Sequence, residues 1–280
     1  MKNSLLFRLV IMVVAMMCAL GASAQEAYAC YTPENTTLTF YYDYYLTSRS
    51  RTGTAYTLND GAVEPDWATD GTNSRVTRVA FDPSFAEFRP TFISYWFYEM
   101  RRLESITGMD YLNTSEVTRM DAMFNRCYKL KSLDLSSFNT ENVTDLSEMF
   151  KGYSALQTIY VGDGWALSEM ALAISRNVFN DCTNLVGGLG TTYDANHVNA
   201  DYAHIDGGPD NPGYFTEKPD FILGDVNGDG LVNISDVTAL IDILLNDETA
   251  PAAADFNQDG SINISDVTYL IDYLLSGTKN

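Results

Sequence analysis

Positive charge is scarce in this chain. Seventeen Lys and Arg stand against 37 Asp and Glu over 280 residues, a formal net charge of −20. A surface this acidic does not hold nucleic acid by neutralising phosphates. Histidine is scarcer still, with only His197 and His204, which leaves little for imidazole catalysis or a histidine-rich metal centre. Cysteine occurs four times, at Cys18, Cys30, Cys127 and Cys182, and never as CxxC. That excludes a disulfide scaffold and a paired-cysteine zinc site. The glycine-rich pieces GDG and GGLG lack the lysine and following helix of a phosphate loop.

Long apolar runs are also missing, except at the start. Lys2 and Arg8 flank the entry to an unbroken run from Leu9 to Leu20, and Ala22-Ser23-Ala24 supplies small residues for cleavage. This is the pattern of a secretory signal peptide, too short in its apolar part to span a bilayer well. Its removal near Ala24 takes Lys2 and Arg8 with it and moves the net charge from −20 to −22. The mature chain is expected to be exported, to the outside or the cell surface of a bacterium. Its length suits one or two domains.

The acid is concentrated at the C-terminus. Residues 220–280 hold eleven Asp and Glu and one Lys, and carboxylates so clustered repel one another unless a cation sits among them. Their spacing is regular. GDVNGDGLVNISDV (224–237) returns as ADFNQDGSINISDV (254–267). Counting from Asp225, a twelve-residue loop places Asp225, Asn227, Asp229, Gly230, Leu231, Asn233 and Asp236 at positions 1, 3, 5, 6, 7, 9 and 12. The second loop places Asp255, Asn257, Asp259, Gly260, Ser261, Asn263 and Asp266 there. Calcium takes six to eight hard oxygens, from side chains at 1, 3, 5 and 12, the backbone carbonyl at 7, and often a water held at 9. Two calcium ions are therefore expected. After each loop, Val237, Leu240, Ile241, Leu244 and Leu245, and likewise Val267, Leu270, Ile271, Leu274 and Leu275, recur at helical spacing. Pro219 and Pro251 stand where a preceding EF-hand helix would run.

A loop with only an exiting helix, closed by Asp rather than Glu, resembles one half of a type I dockerin domain. The two halves match at 15 of 24 positions. The resemblance implies a cohesin-like partner, met by the pair after position 9: Ile234-Ser235 in one half, Ile264-Ser265 in the other. On the plainer reading the isoleucines pack inward and the serines cap their helices.

The middle of the chain repeats. Val117-Thr118, Met123-Phe124 and Leu130 recur 26 residues on as Val143-Thr144, Met149-Phe150 and Leu156. Phe97, Met100, Leu103 and Ile106 stand one turn earlier at a shift of 27. Phe179, Cys182 and Leu185 stand one turn later at 29. Leu130-x-x-Leu133-x-Leu135 has leucine-rich-repeat spacing. Such units bury their apolar side only by stacking. The stretch NVTDLSEMF is expected to return the chain as a short helix. LSSFNTENVTDLSEMFKGYSALQTI (135–159) resembles the 26-residue repeat of BspA-like leucine-rich surface proteins, and residues 190–216 resemble that family's closing segment. The resemblance implies adhesion or contact with a host or matrix protein.

Other candidates are weaker. His197 and His204 with Asp194, Asp201 and Asp206 have the residue types of a metal or general-base site, but a closing cap explains them more cheaply, as hydrogen-bonding residues, and no nucleophile or oxyanion pattern accompanies them. Glu64, Asp66 and Asp70 beside Trp67 are carboxylates without a demonstrable pairing. FYYDYY (40–45) reads as an aromatic strand. Ser105, Thr107, Ser132, Asp134, Thr158 and Tyr160 should face outward on stacked strands. Cys127 and Cys182 share a repeat column two turns apart, nearly 10 Å, beyond the ~7 Å a disulfide allows; both are expected to be reduced and buried.

The expected fold is an α/β leucine-rich-type solenoid of about four short turns, plus a small all-α calcium-binding dockerin module. The divisions are a leader over 1–24, an N-terminal cap over 25–95, the repeats with their closing segment over 96–216, and the dockerin-like segment over 217–280. The expected function is non-enzymatic binding by an exported protein. The competing class is an accessory or enzymatic subunit of a polysaccharide-degrading complex.

Overall fold

The computed structural model describes residues 24–45, 52–58, 63–229, 231–246 and 248–276. The leader expected over residues 1–24 lies outside them, except for Ala24. Two compact units form, one ending at Lys218 and the other starting at Pro219. Among the described residues, no helix is long and apolar enough to cross a membrane.

The first unit is mixed α/β. Strands β1 (Glu26–Thr32) and β2 (Thr37–Asp43) form an antiparallel hairpin, with β3 (Thr54–Thr57) on its outer edge. Strands β4 (Arg78–Phe81) and β5 (Ser105–Thr107) extend this sheet in parallel, in the order β3-β1-β2-β4-β5. A second, wholly parallel sheet holds β6 (Ser132–Leu135), β7 (Thr158–Val161) and β8 (Thr216–Glu217). The FYYDYY stretch divides: Phe40 is fully buried in β2 against Trp96, Phe81 and Trp67, whereas Tyr44 and Tyr45 lie exposed beyond the strand. Helix α1 (Asp66–Thr69) is a single turn that buries Trp67, and α2 (Glu169–Ile174) starts at a Ser168 cap.

Opposite the strands, the return segments are not helices. NVTDLSEMF and its counterparts form successive tight turns with two left-handed residues in each repeat. One position is held by Tyr95, Ala122, Glu148 and Asn177, and the other, four residues on, by Glu99, Arg126, Gly152 and Asp181. A non-glycine residue there costs about 1–2 kcal/mol. The gain is a ladder of backbone bonds between repeats. Tyr95, Phe97 and Glu99 donate their N–H to the carbonyls of Asp121, Met123 and Asn125, and Ala122, Phe124 and Arg126 donate onward to Ser147, Met149 and Lys151. A helix would have satisfied these groups internally and left the repeats unjoined.

A ladder of one polarity leaves carbonyls over at its start and N–H groups over at its end. At the start, Trp67 Nε1 donates to Trp96 O at 2.9 Å and Asn73 Nδ2 to Tyr98 O at 3.1 Å. At the end, the closing segment accepts: Phe179 N donates to Val198 O, Asn177 N to Asn199 Oδ1 and Asp181 N to the Tyr193 hydroxyl. Inside, Phe97, Phe124, Phe150 and Phe179 form one column, with successive ring centroids 5.2, 6.0 and 5.6 Å apart.

Cys30, Cys127 and Cys182 are buried, and Cys127 and Cys182 are thiols. Cys127 Sγ donates to Phe97 O and Cys182 Sγ to Phe150 O. Burial pushes both thiols up, Cys182 to about 12, so neither is a ready nucleophile. Between them Tyr153 occupies the same column, fully buried, with no hydrogen-bond partner for its hydroxyl among the described residues. An unsatisfied buried hydroxyl costs about 1–3 kcal/mol. Tyr153→Phe is therefore expected to raise the thermal midpoint of the first unit, measured by calorimetry. A lowered midpoint would show that the hydroxyl has a partner.

The closing segment is fastened by Asp206. Its carboxylate accepts the N–H of Leu189, Thr191 and Gly208 and the Thr191 hydroxyl, all at 2.7–3.0 Å. Burial pushes this carboxyl up, but the four donors outweigh it and hold it down to about 2. A carboxyl depressed in the folded state stabilises above its unfolded pKa and ceases to do so as pH falls through its folded one. The contribution, ~2 kcal/mol from the size of the shift, is present above pH ~4 and gone near pH 2. Asp206→Asn should remove this pH dependence and lower the neutral-pH midpoint, as followed by thermal melts between pH 2 and 7.

Candidate functional site

The second unit consists of two loop–helix halves. Helices α3 (Ile234–Asn246) and α4 (Ile264–Ser276) have 13 residues each and start at the same loop position. They pack through Val237, Leu240, Val267 and Leu270, joined by Val226, Ala254 and Phe256 in a small buried cluster. Val232 and Ile262, at loop position 8, pack against it. The apolar stripe is narrower than helical spacing implied. Leu245 and Leu275 are 78% and 82% exposed, and in α3 Ile243 and Leu244 pack inward while Ile241 does not.

The loops share most of their hydrogen bonds, and in the second Asn263 Nδ2 also donates to the Ser261 carbonyl at 2.9 Å. Asp229 N donates to Asp225 Oδ1 at 3.0 Å and Asn227 Oδ1 at 2.9 Å. Asp259 N donates to Asp255 Oδ1 at 3.2 Å and Asn257 Oδ1 at 2.9 Å. Asn227 Nδ2 reaches Asp229 Oδ2, and Asn257 Nδ2 reaches Asp259 Oδ2. The side-chain oxygens of positions 1 and 3 thus meet at the backbone N–H of position 5 in each loop. Gly260 takes the left-handed turn at position 6 with φ +84°; Gly230 lies outside the described residues.

Asp236 and Asp266, at position 12, are fully buried. Asp236 Oδ1 accepts the N–H of Val226 and Asn227, and Oδ2 accepts that of Asn233. Asp266 accepts from Asn257 and Asn263 in the same way. Each carboxylate therefore clasps the start of its loop to the start of its helix. A carboxylate has about four lone-pair sites, so this leaves acceptor capacity toward an ion. The oxygen-only donor set fits a hard cation: Asp225, Asn227, Asp229 and Asp236 with the Leu231 carbonyl, and Asp255, Asn257, Asp259 and Asp266 with the Ser261 carbonyl.

Position 9 has a further role that the sequence expectation did not include. Asn233 Oδ1 accepts Ser235 N–H and Asn263 Oδ1 accepts Ser265 N–H, both at 2.8 Å. The asparagines, not the serines, cap α3 and α4. Ile234 and Ile264 are each 69% exposed, so the inward-packing reading of that pair also fails. The sequence signal for these caps is Asn just before the first apolar helical residue.

Among the described residues of either unit, no three His, Cys, Asp or Glu side chains converge as a metal site, so the case for an ion in the loops rests on donor type, spacing and duplication. The first unit has no such spaced donor set. His197 Nδ1 lies 3.6 Å from Asp201, His204 Nδ1 bonds Ile205 O, and Asp206 is committed to backbone. Asp70 accepts the Tyr56 hydroxyl and Thr72 N–H, a fastening role. The outward strand residues align in part. Ser132 pairs with Thr158 and Asp134 with Tyr160, while Leu133, Leu135, Ile159 and Val161 are buried. Ser105 and Thr107 are not in that sheet, because β5 pairs with β4 instead.

Residues 223–275 match the family described as Dockerin type I domain. Residues 91–204 match the family described as Mycoplasma protein of unknown function, DUF285. No curated protein and no solved structure matches the chain.

Proposed function

We propose that this is an exported, non-enzymatic bacterial binding protein, held in an assembly by a calcium-loaded dockerin that docks a cohesin-like partner. Two calcium ions sit one in each loop, on Asp225, Asn227, Asp229, Leu231 and Asp236, and on Asp255, Asn257, Asp259, Ser261 and Asp266. Asn233 and Asn263 serve the sites by fixing the loop-to-helix junction. Calcium supplies positive charge that relieves carboxylate repulsion. The chain's own residues set the loop path and present Ile234-Ser235 and Ile264-Ser265. The first unit is a leucine-rich-type solenoid in the manner of BspA-like surface proteins, presenting an outward face to a host or matrix protein.

The observation that carries this reading is the duplication: two loops with matching hydrogen bonds, each delivering an exposed isoleucine at the start of a helix. Isothermal titration of the chelator-stripped chain with calcium is expected to give two ions. Asp225→Ala and Asp255→Ala should each give one. A count of two in either variant would remove that loop from the assignment.

A further inference from the structure

Consecutive repeats pair their strands from β6 to β7, yet β5 and β6 do not pair. Each is an edge strand of its own sheet. The cause lies in repeat length. Thr114 and Thr140 play the same part, their hydroxyls accepting the N–H of Asn139 and Ala166. Eight residues separate Ile106 from Thr114 and seven separate Leu133 from Thr140. The extra residue is taken up after β5 by left-handed Gly108 and a 3-10 turn, Met109–Tyr111. A side chain at Gly108 would lie 2.4 Å from Phe81 O, so the chain here is tied to β4 rather than to the next repeat.

The parted edges enclose a groove of about 560 Å³ lined by both strands. Ser137 Oγ donates to Met109 O at 3.5 Å, a contact between the two sides. Its charge is lopsided. Asp134 is ion-paired with Lys218. Glu104 and Asp110 are exposed carboxylates on the rim with no ion-pair partner among the described residues. No aromatic ring lines the groove, which argues against a sugar platform. Edge strands present unpaired N–H and C=O groups that template another strand, and extended peptides bind by strand addition.

We propose that an extended segment of a partner polypeptide carrying Lys or Arg docks here. Its backbone pairs with the free edge of β6 and its cationic side chains meet Glu104 and Asp110. This rests on the first unit being a partner-binding module, and it specifies where and what that module binds.

The test uses the full chain with calcium and a fluorescein-labelled ten-residue peptide of alternating lysine and valine, read by anisotropy. Two controls are the same peptide with alternate backbone nitrogens methylated and one with glutamate for lysine. Binding is expected for the lysine peptide, with at least tenfold loss on methylation, on the charge swap, and in the Glu104→Lys/Asp110→Lys protein. Hydrogen exchange at residues 131–135 should slow only with the unmethylated lysine peptide. Absence of binding, or equal affinity for the methylated peptide, overturns the proposal. Affinity that falls with Thr158→Lys but not with the groove variant also overturns it, while leaving the outward face as a binding surface.

Discussion

Chelating calcium is expected to abolish most of the helical circular dichroism of the full chain while the first unit stays folded. The arithmetic of helices makes the signal specific. Helices α3 and α4 have 13 residues each, against four in α1 and six in α2. The cluster that holds α3 to α4 has seven buried residues, two of them alanine or smaller than leucine in each half. Units of about 60 residues are marginal on core burial alone. A ligand that binds only the folded state adds RT ln(1 + [L]/Kd), about 4 kcal/mol per site at a thousandfold excess over Kd. Two sites at that excess contribute about 8 kcal/mol, comparable to the whole net stability of a typical domain, 5–15 kcal/mol. Asp225 and Asp229, and Asp255 and Asp259, share one short turn in which the first carboxylate accepts the second residue's backbone N–H, and a bound cation offsets the repulsion between such acids.

Asp236→Ala and Asp266→Ala sharpen this expectation. Each removes a fully buried carboxylate that accepts backbone N–H groups from both ends of its loop. Stranding those donors costs ~1–3 kcal/mol apiece, beyond any loss of calcium. Position-12 variants should therefore lose helicity even at saturating calcium, where Asp225→Ala loses less. Helical signal retained in chelator by the wild-type chain would separate folding from calcium and defeat the expectation.

The C-terminal unit was legible because its chemistry is local. The spaced acids and asparagines, the turn glycine and the following helix all lie within one loop and the segment after it, so spacing alone orders them. What spacing did not reveal is that Asn233 and Asn263 cap helices, since asparagine at position 9 reads equally as a water-mediated ligand. In the first unit the columns were legible: Phe97, Phe124, Phe150 and Phe179 stack as their 27-, 26- and 29-residue shifts require. The return path was not. The first of its two left-handed positions carries Tyr95, Ala122, Glu148 and Asn177, and the second has glycine only at Gly152, so local preference pointed to a helix. The bonds that override preference run to residues a full repeat away, as from Phe97 N to Met123 O. The parting of β5 from β6 was hidden for a related reason. One extra residue before Thr114 looks like ordinary repeat variation until its route through Gly108 is seen.

Replacing Ile234-Ser235 with Asp-Asp is expected to weaken binding to the cohesin-like partner only slightly, and so is replacing Ile264-Ser265. Replacing both should abolish it. The two halves present the same surface. Ile234 and Ile264 are each 69% exposed, Leu245 and Leu275 lie out at 78% and 82%, and Val237 and Val267 are buried alike at 4%. If α3 and α4 are related by an approximate two-fold axis, turning the unit brings one pair where the other had been, and a partner then seats either way. An aspartate set against an apolar contact disfavours one seating and leaves the other, and losing one of two equal seatings costs only a factor of two in affinity. Losing both removes the buried apolar contact and adds desolvated charge, which together cost several kcal/mol, or a thousandfold and more. The halves are not identical. Tyr269, 48% exposed, stands one helical turn beyond Ser265 where the other half has Ala239. The seating that uses Ile264-Ser265 therefore has an aromatic neighbour the other lacks, and the two single variants should differ by a few-fold, with Tyr269→Ala making them equal. The measurement is partner affinity for both single variants, the double variant and Tyr269→Ala, with calcium count and helicity checked in each. Loss of binding from either single variant would mean one seating only, and normal binding by the double variant would remove these residues from the contact.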